Sequence, residues 1–291
     1  MIKKFSCILA QVLGLILTAM PVGMASTSSY YLDASRLELQ VAPATGTASG
    51  VVKVSSNSNR PIRLKVIPKL WHLSEQGVLV YDDPPQAGYN LLENTGINPE
   101  EFELLPGKSR LVRFIVKTPP DAVNAEYPFQ LYFQPTSLLE PEARKENGSV
   151  SNMLDVVPVF TTTVYVYKGN PQPAPKVESF QCGYLPEKRQ FSVSLGLSNS
   201  GAKHARLFGN IVLSRKSASG ASQILDVLHM QNSTLLIVFP GMKRTVENLL
   251  ESAKVSKPDP GHYQMELSLV DERNLQPAIQ STCEFTVPGT P

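Results

Sequence analysis

The side chains that could do chemistry are few, and their spacing builds no reaction centre. Histidines stand at 72, 204, 229 and 262, without the short intervals that bring two imidazoles onto one metal ion. No HExxH, CxxC or calcium-loop pattern accompanies them. The nearest approach to a nucleophile elbow, Gly196-Leu197-Ser198-Asn199-Ser200, lacks the second glycine. It also ends a strand-like run ahead of a loop, whereas that chemistry needs a strained strand-to-helix turn. No glycine-rich loop is placed to cradle phosphate. The chain therefore reads as non-enzymatic, with no cofactor and no metal expected. What remains is binding chemistry: two thiols, Cys182 and Cys283, and one arginine, Arg36, opposite the apolar parity of Leu37, Leu39 and Val41.

The elements that must position these residues are strands. In the run 98–134, Val112, Phe114 and Val116 share one face, and Tyr127, Phe129, Leu131 and Phe133 share another. This is the period-2 pattern of half-buried antiparallel strands. Leu105-Pro106-Gly107-Lys108 supplies the turn before them, because proline presets φ and glycine admits positive φ. Ile62, Leu64 and Val66 alternate likewise. After a proline-rich stretch, GNPQPAPK at 169–176, the pattern restarts in three runs: Phe191 to Leu197, Leu207 to Leu213 and Tyr263 to Leu269. Val246 to Val255 is expected to be a short helical or coil piece. The fold class is all-β, two immunoglobulin-like sandwiches in series, each long enough for its own core.

Residues 1–25 read as a signal peptide: Lys3 and Lys4, an apolar run from Ile8 to Met20, then Gly23-Met24-Ala25 before the cleavage point. The run is too short for a membrane span, so no stable membrane insertion is expected after cleavage. The expected divisions are 26–168 for the N-terminal sandwich, 169–176 for a linker and 177–291 for the C-terminal sandwich. Removing the leader takes away two lysines and no acid, leaving equal numbers of basic and acidic side chains. That balance gives no reason to expect nucleic acid as a partner. Cys182 and Cys283 then remain as an even pair in an exported chain and are expected to form a disulfide. The polar stretch 136–152 is expected to be a mobile loop.

After that loop the chain carries apolar residues on both faces. Met153, Val157 and Val159 fall on one, Val156, Phe160, Val164 and Val166 on the other. A strand apolar on both faces needs two partners, an incoming protein or a second domain on one side and its own sandwich on the other.

The chain resembles the periplasmic pilus-assembly chaperones, the PapD-like family. The residues that carry the likeness are Arg36 in the first strand run Leu32 to Val41, the strand end KVIPKLW at 65–71, and Asn98 to Phe114. The last includes Pro99, Phe102, Pro106-Gly107 and Val112-Arg113. The resemblance implies two angled immunoglobulin-like domains in the periplasm. It further implies capture of a secreted or pilus subunit by donation of the last N-domain strand, and an outer-membrane usher as a further partner. Arg36 falls at the position that grips the subunit's terminal carboxylate, and Met153, Val157 and Val159 at the donated strand. Val164, counted with these as a subunit-binding residue, stands where the family carries a second cation, which is absent here. Pro158 and Asp155 also depart from the family pattern. Glu126, Lys168 and Asp271 are the implied interdomain ion network. A structural or adhesive component of a surface assembly is the alternative reading.

Overall fold

The computed structural model describes residues 29–81, 91–136, 158–217, 220–230, 236–250, 252, 254–255, 257–273 and 277–289. The leader, Met153, Val157 and all but the first residue of the 136–152 stretch lie outside them.

The first sandwich uses eleven strands: β1 (Tyr30–Leu32), β2 (Arg36–Gln40), β3 (Thr47–Ser56), β4 (Ile62–Lys69), β5 (His72–Leu73), β6 (Leu79–Val80), β7 (Thr95–Asn98), β8 (Glu101–Leu104), β9 (Ser109–Lys117), β10 (Glu126–Pro135) and β11 (Phe160–Tyr167). One sheet runs β1-β3-β9-β7 and the other β2-β11-β10-β4-β8, while β5 and β6 form a separate hairpin. The opening segment thus pairs with β3 in one sheet and, after Asp33 to Ser35, with β11 in the other, in parallel. The alternating residues named above meet between the sheets: Val112, Phe114, Val116, Phe129, Leu131 and Phe133 are all buried. The Leu105 to Lys108 turn closes with the Lys108 amide donating to the Leu105 carbonyl at 3.0 Å, with Gly107 at φ +64°.

The second sandwich holds β12 (Pro175–Leu185), β13 (Gln190–Asn199), β14 (Ala205–Lys216), β15 (Ser222–Met230), β16 (Ile237–Val238), β17 (Lys243–Leu250), β18 (Gly261–Asp271) and β19 (Pro277–Val287). Its sheets are β12-β13-β17 and β15-β14-β18-β19, with β16 against β14. Phe191, Leu195, Leu207, Leu213, Met265 and Leu269 form its core. The expected helical or coil piece at Val246 to Val255 is corrected: Val246 to Leu250 belong to β17, antiparallel to β13. The proline-rich stretch is docked, with the Ala202 amide on the Gln172 carbonyl (3.0 Å) and the Ala174 amide on Asn199 Oδ1 (2.9 Å). Cys182 on β12 and Cys283 on β19 are bonded, with Cα atoms 6.0 Å apart. The bond joins edge strands of opposite sheets.

Candidate binding cleft

Register fixes which side chains face the second sandwich. Arg36 is opposite Thr163, Thr163 opposite Gln130, and Gln130 opposite Lys69. Directly opposed residues share a face, so these four form one row across β2, β11, β10 and β4. Glu38, Tyr165 and Pro128 make the next row, and Thr161, Tyr132 and Ile67 the row on the other side. Along β11 the residues of opposite parity, Thr162, Val164 and Val166, are fully buried beneath the sheet.

Tyr165 and Tyr167 continue the parity of Val159 along this strand. With Trp71 they pack on Ile237 and Phe239 of the second sandwich, and Leu73 and Met242 border the cluster. Trp71 meets Phe239 edge-on with ring centroids 5.1 Å apart, and Tyr165 stacks on His204 at 4.1 Å. Lys203 Nζ lies 4.0 Å above the Tyr167 ring. The second sandwich thus covers this part of β11.

Beside this cluster is a polar triad, with Glu126 and His204 buried and Arg273 partly exposed. His204 Nδ1 is 2.5 Å from Glu126 Oε2, and Arg273 Nη2 is 2.6 Å from His204 Nε2. A guanidinium only donates, so Nε2 must accept; the imidazole is therefore the neutral Nδ1–H tautomer, donating to Glu126. Arg273 also donates to the His204 carbonyl at 2.9 Å. Burial pushes the Glu126 carboxyl up to about 8 and holds His204 well below the usual histidine range, each toward its neutral form.

The two shifts act on stability with opposite signs. The raised Glu126 value gives stability that is complete below its ordinary 4.5 and lost as pH rises through about 8. The lowered His204 value gives stability that is complete above 6.5 and lost as pH falls. Between 6.5 and 8 only the Glu126 slope operates, so the chain should become less stable over that interval. Urea unfolding at pH 6.5 and 8.5 checks this. Glu126→Gln, which keeps an acceptor for Nδ1–H, should flatten the difference, and an unchanged slope in that variant would remove Glu126 as its origin.

At the open end of the cleft, Arg36 Nη1 reaches Glu272 Oε2 at 3.4 Å, and Arg36 Nε lies 3.8 Å from Glu38 Oε1. Arg206 Nε donates to the same Glu272 oxygen. The bond from Arg206 holds the Glu272 carboxyl below its usual range against partial burial, and Arg36 adds to the effect. Lys69 Nζ, at the far end of the row, sits 4.5 Å above the Tyr132 ring, which in turn meets Tyr81 at 5.4 Å.

The β5–β6 hairpin closes the back of the cleft. The Glu75 carbonyl accepts the Thr245 amide at 2.7 Å and Arg244 Nη1 at 3.1 Å, and Thr245 Oγ1 donates to Glu75 Oε1 at 3.0 Å. Gly77, at φ +83°, leaves room for the Arg244 guanidinium, which lies 1.7 to 2.0 Å from where a Cβ would be.

Of the residues singled out in the sequence, Arg36 lies in the cleft. Val159, the residue before β11, is 46% exposed. Three expectations need correction. Val164 is 0% exposed in the first core, so it cannot touch a subunit. Lys168 is not an interdomain residue; its ammonium donates to the carbonyls of Pro119, Pro120 and Ala122 at 3.0, 2.8 and 2.6 Å. Asp271 accepts the Arg206 and Arg273 amides of its own sandwich at 3.3 and 3.0 Å. Glu126 does cross the interface, but to His204. The sequence reading missed His204, Arg206, Glu272 and Arg273. Their signal was a basic cluster, KHAR at 203–206, at the start of a strand whose Leu207 pairs with Asp271. Among the described residues no group of three His, Cys, Asp or Glu could hold a metal ion.

No family model matches the chain, and no curated protein matches it. Among solved structures it is similar to the class 5 fimbriae chaperone CfaA, at 13% identity and TM-score 0.44, over 90% of this chain and 99% of that one. It is also similar to a chain from the Salmonella enterica SafA pilin complex with the SafB chaperone, at 11% identity and TM-score 0.41 over 90% and 97%. A third is a chain of the CsuC–CsuE chaperone and tip adhesion subunit complex of Acinetobacter baumannii, at 9% identity and TM-score 0.41 over 75% and 90%.

Proposed function

We propose that this chain is an exported chaperone of the PapD-like kind, with sandwiches over 26–168 and 177–291, that holds a secreted or pilus-like subunit by strand addition at the start of β11. One observation carries the reading. β10 pairs with β11 from Phe160 to Tyr167, whereas β2 pairs only from Thr163 onward. Among the described residues no strand flanks Phe160 to Thr162 on the β2 side, and β2 begins there with Arg36. A partner strand added along this edge would run end-on into β2, so its chain terminus would meet a guanidinium, the side chain best suited to a carboxylate. Main-chain bonds would supply affinity, and the exposed Val159 an anchor. Tyr30 finishes the opposite edge of β11: its hydroxyl donates to the Phe133 carbonyl at 2.5 Å and accepts the Phe160 amide at 3.1 Å.

The test is co-purification from the periplasmic fraction with tagged full-length chain, followed by identification of what is held. Arg36→Ala should lower capture by about 1.5–3 kcal/mol, the range for a hydrogen bond to a charged group. Its effect on unfolding should stay within about 1 kcal/mol, since the ion pair to Glu272 is a third exposed at both ends and screened. Val159→Asp should reduce capture without unfolding the chain. Undiminished capture in both variants would send the reading back to a structural component of a surface assembly.

A further inference from the structure

The Arg36 guanidinium already carries a carboxylate. Glu272 lies on the turn after β18 in the second sandwich, and its Oε2 is shared by Arg36 and Arg206. The two holds are unequal. The Arg206 side chain is 10% exposed and gives the closer contact; that of Arg36 is 36% exposed and gives the looser one, at 3.4 Å. Losing Arg36 would leave Glu272 still paired, so the exposed contact is the one that can be exchanged. Glu38, 3.8 Å from Arg36 Nε, is a second acid at the same guanidinium, itself 3.9 Å from Arg273. We propose that Glu272 is a resident occupant of a carboxylate seat at Arg36, which a ligand carboxylate must displace, so that the second sandwich sets how tightly the cleft holds its partner. This rests on the reading above for the ligand's class, a peptide ending in a free carboxylate.

The direction follows from charge. An entering carboxylate meets Arg36 with Glu272 and Glu38 already beside it, each shared with a further guanidinium, Arg206 and Arg273, and like charges at one site oppose each other. Glu272→Gln keeps an amide oxygen for Arg206 and removes the charge that competes for Arg36. Seating also frees Glu272 from Arg36 and so releases one of the contacts across the cleft.

The experiment uses the full chain and two probes. Acetate is titrated at constant ionic strength while the Arg36 Nε–H resonance is followed by NMR, with chloride as control. In Glu272→Gln, acetate affinity should rise severalfold, up to about fivefold, the equivalent of a third-exposed, screened ion pair no longer contested. Glu38→Gln, which leaves the Arg206 contact intact, should give a smaller rise and keeps the test open if the Glu272 variant folds poorly. A synthetic strand of alternating valine and threonine is then compared as free acid and as amide; only the free acid should gain in Glu272→Gln. Equal acetate affinity in the parent and both variants, or an equal gain for chloride, overturns the proposal. If acetate behaves as expected but neither form of the peptide binds, strand addition fails while the resident carboxylate stands.

Discussion

Replacing Cys182 and Cys283 together by serine should cost about 4–5 kcal/mol of stability, the chain-entropy value for a loop of this length, given a separation of 101 residues. The effect should fall on the second sandwich, because the bond joins β12 to β19 at the edges of its two sheets, where no backbone ladder links them. Phe180, Tyr184 and Phe285 flank the bond and pack on the core, so reduction would loosen a seam and not a lone staple. Thermal unfolding with and without reductant, followed by tryptic mapping of the first segment released, checks both parts. A reduced chain that melts with the oxidised one would show that apolar packing alone holds the two sheets.

The second large effect belongs to His204. His204→Ala should lose about 3–5 kcal/mol, the range for emptying the space of a fully buried ring, with the unmet hydrogen bonds of its partners included in the loss. It leaves Glu126 and Arg273 facing a space that neither can fill, and takes away the ring stacked on Tyr165 at 4.1 Å. His204→Gln should recover much of this, since an amide N–H can serve Glu126 and an amide oxygen can serve Arg273. Urea unfolding reads the loss, and small-angle scattering reads the relation between the sandwiches. A His204→Ala chain as stable as its parent, or a glutamine variant no better than alanine, would make the triad a bystander of the interface.

The strands of both cores were legible because each buries one face, and period-2 alternation records that directly in residues such as Phe191, Val193, Leu195 and Leu197. β17 was misread for a reason that lies in the other half of the molecule. Its inward positions are Arg244 and Val246, both buried. A buried arginine breaks the apolar alternation, and its guanidinium is occupied by the Glu75 carbonyl of the first sandwich. The same holds for the cleft. Arg36 could be placed because its parity opposes Leu37 and Leu39, but nothing local says that the nearer of its two acid partners is 236 residues away. Trp71 and Phe239 are single aromatic residues beside short strands, and their burial exists only once two sandwiches dock. Lys168 was assigned by analogy to an ion network. The three carbonyls that hold it come from the shape of the 119–122 turn, which no residue pattern encodes.

The backbone bond from Thr245 to Glu75 has a consequence for how this molecule can be rebuilt. Thr245 lies within β17 and pairs there with Gly196, so the hairpin of one sandwich adds a main-chain rung at the border of a sheet in the other. A main-chain rung is indifferent to most side-chain replacement, but it depends on the hairpin being present and correctly set back. Grafting residues 177–291 onto a sandwich without that hairpin would expose the border of β17 and leave Arg244 without its carbonyl. Exchange between relatives would therefore have to move β5 and β6 together with the C-terminal sandwich, although the two segments are separated by about a hundred residues of chain. The piece that can be transplanted is defined by this splice across the interface and not by the proline-rich stretch at which the chain would ordinarily be cut.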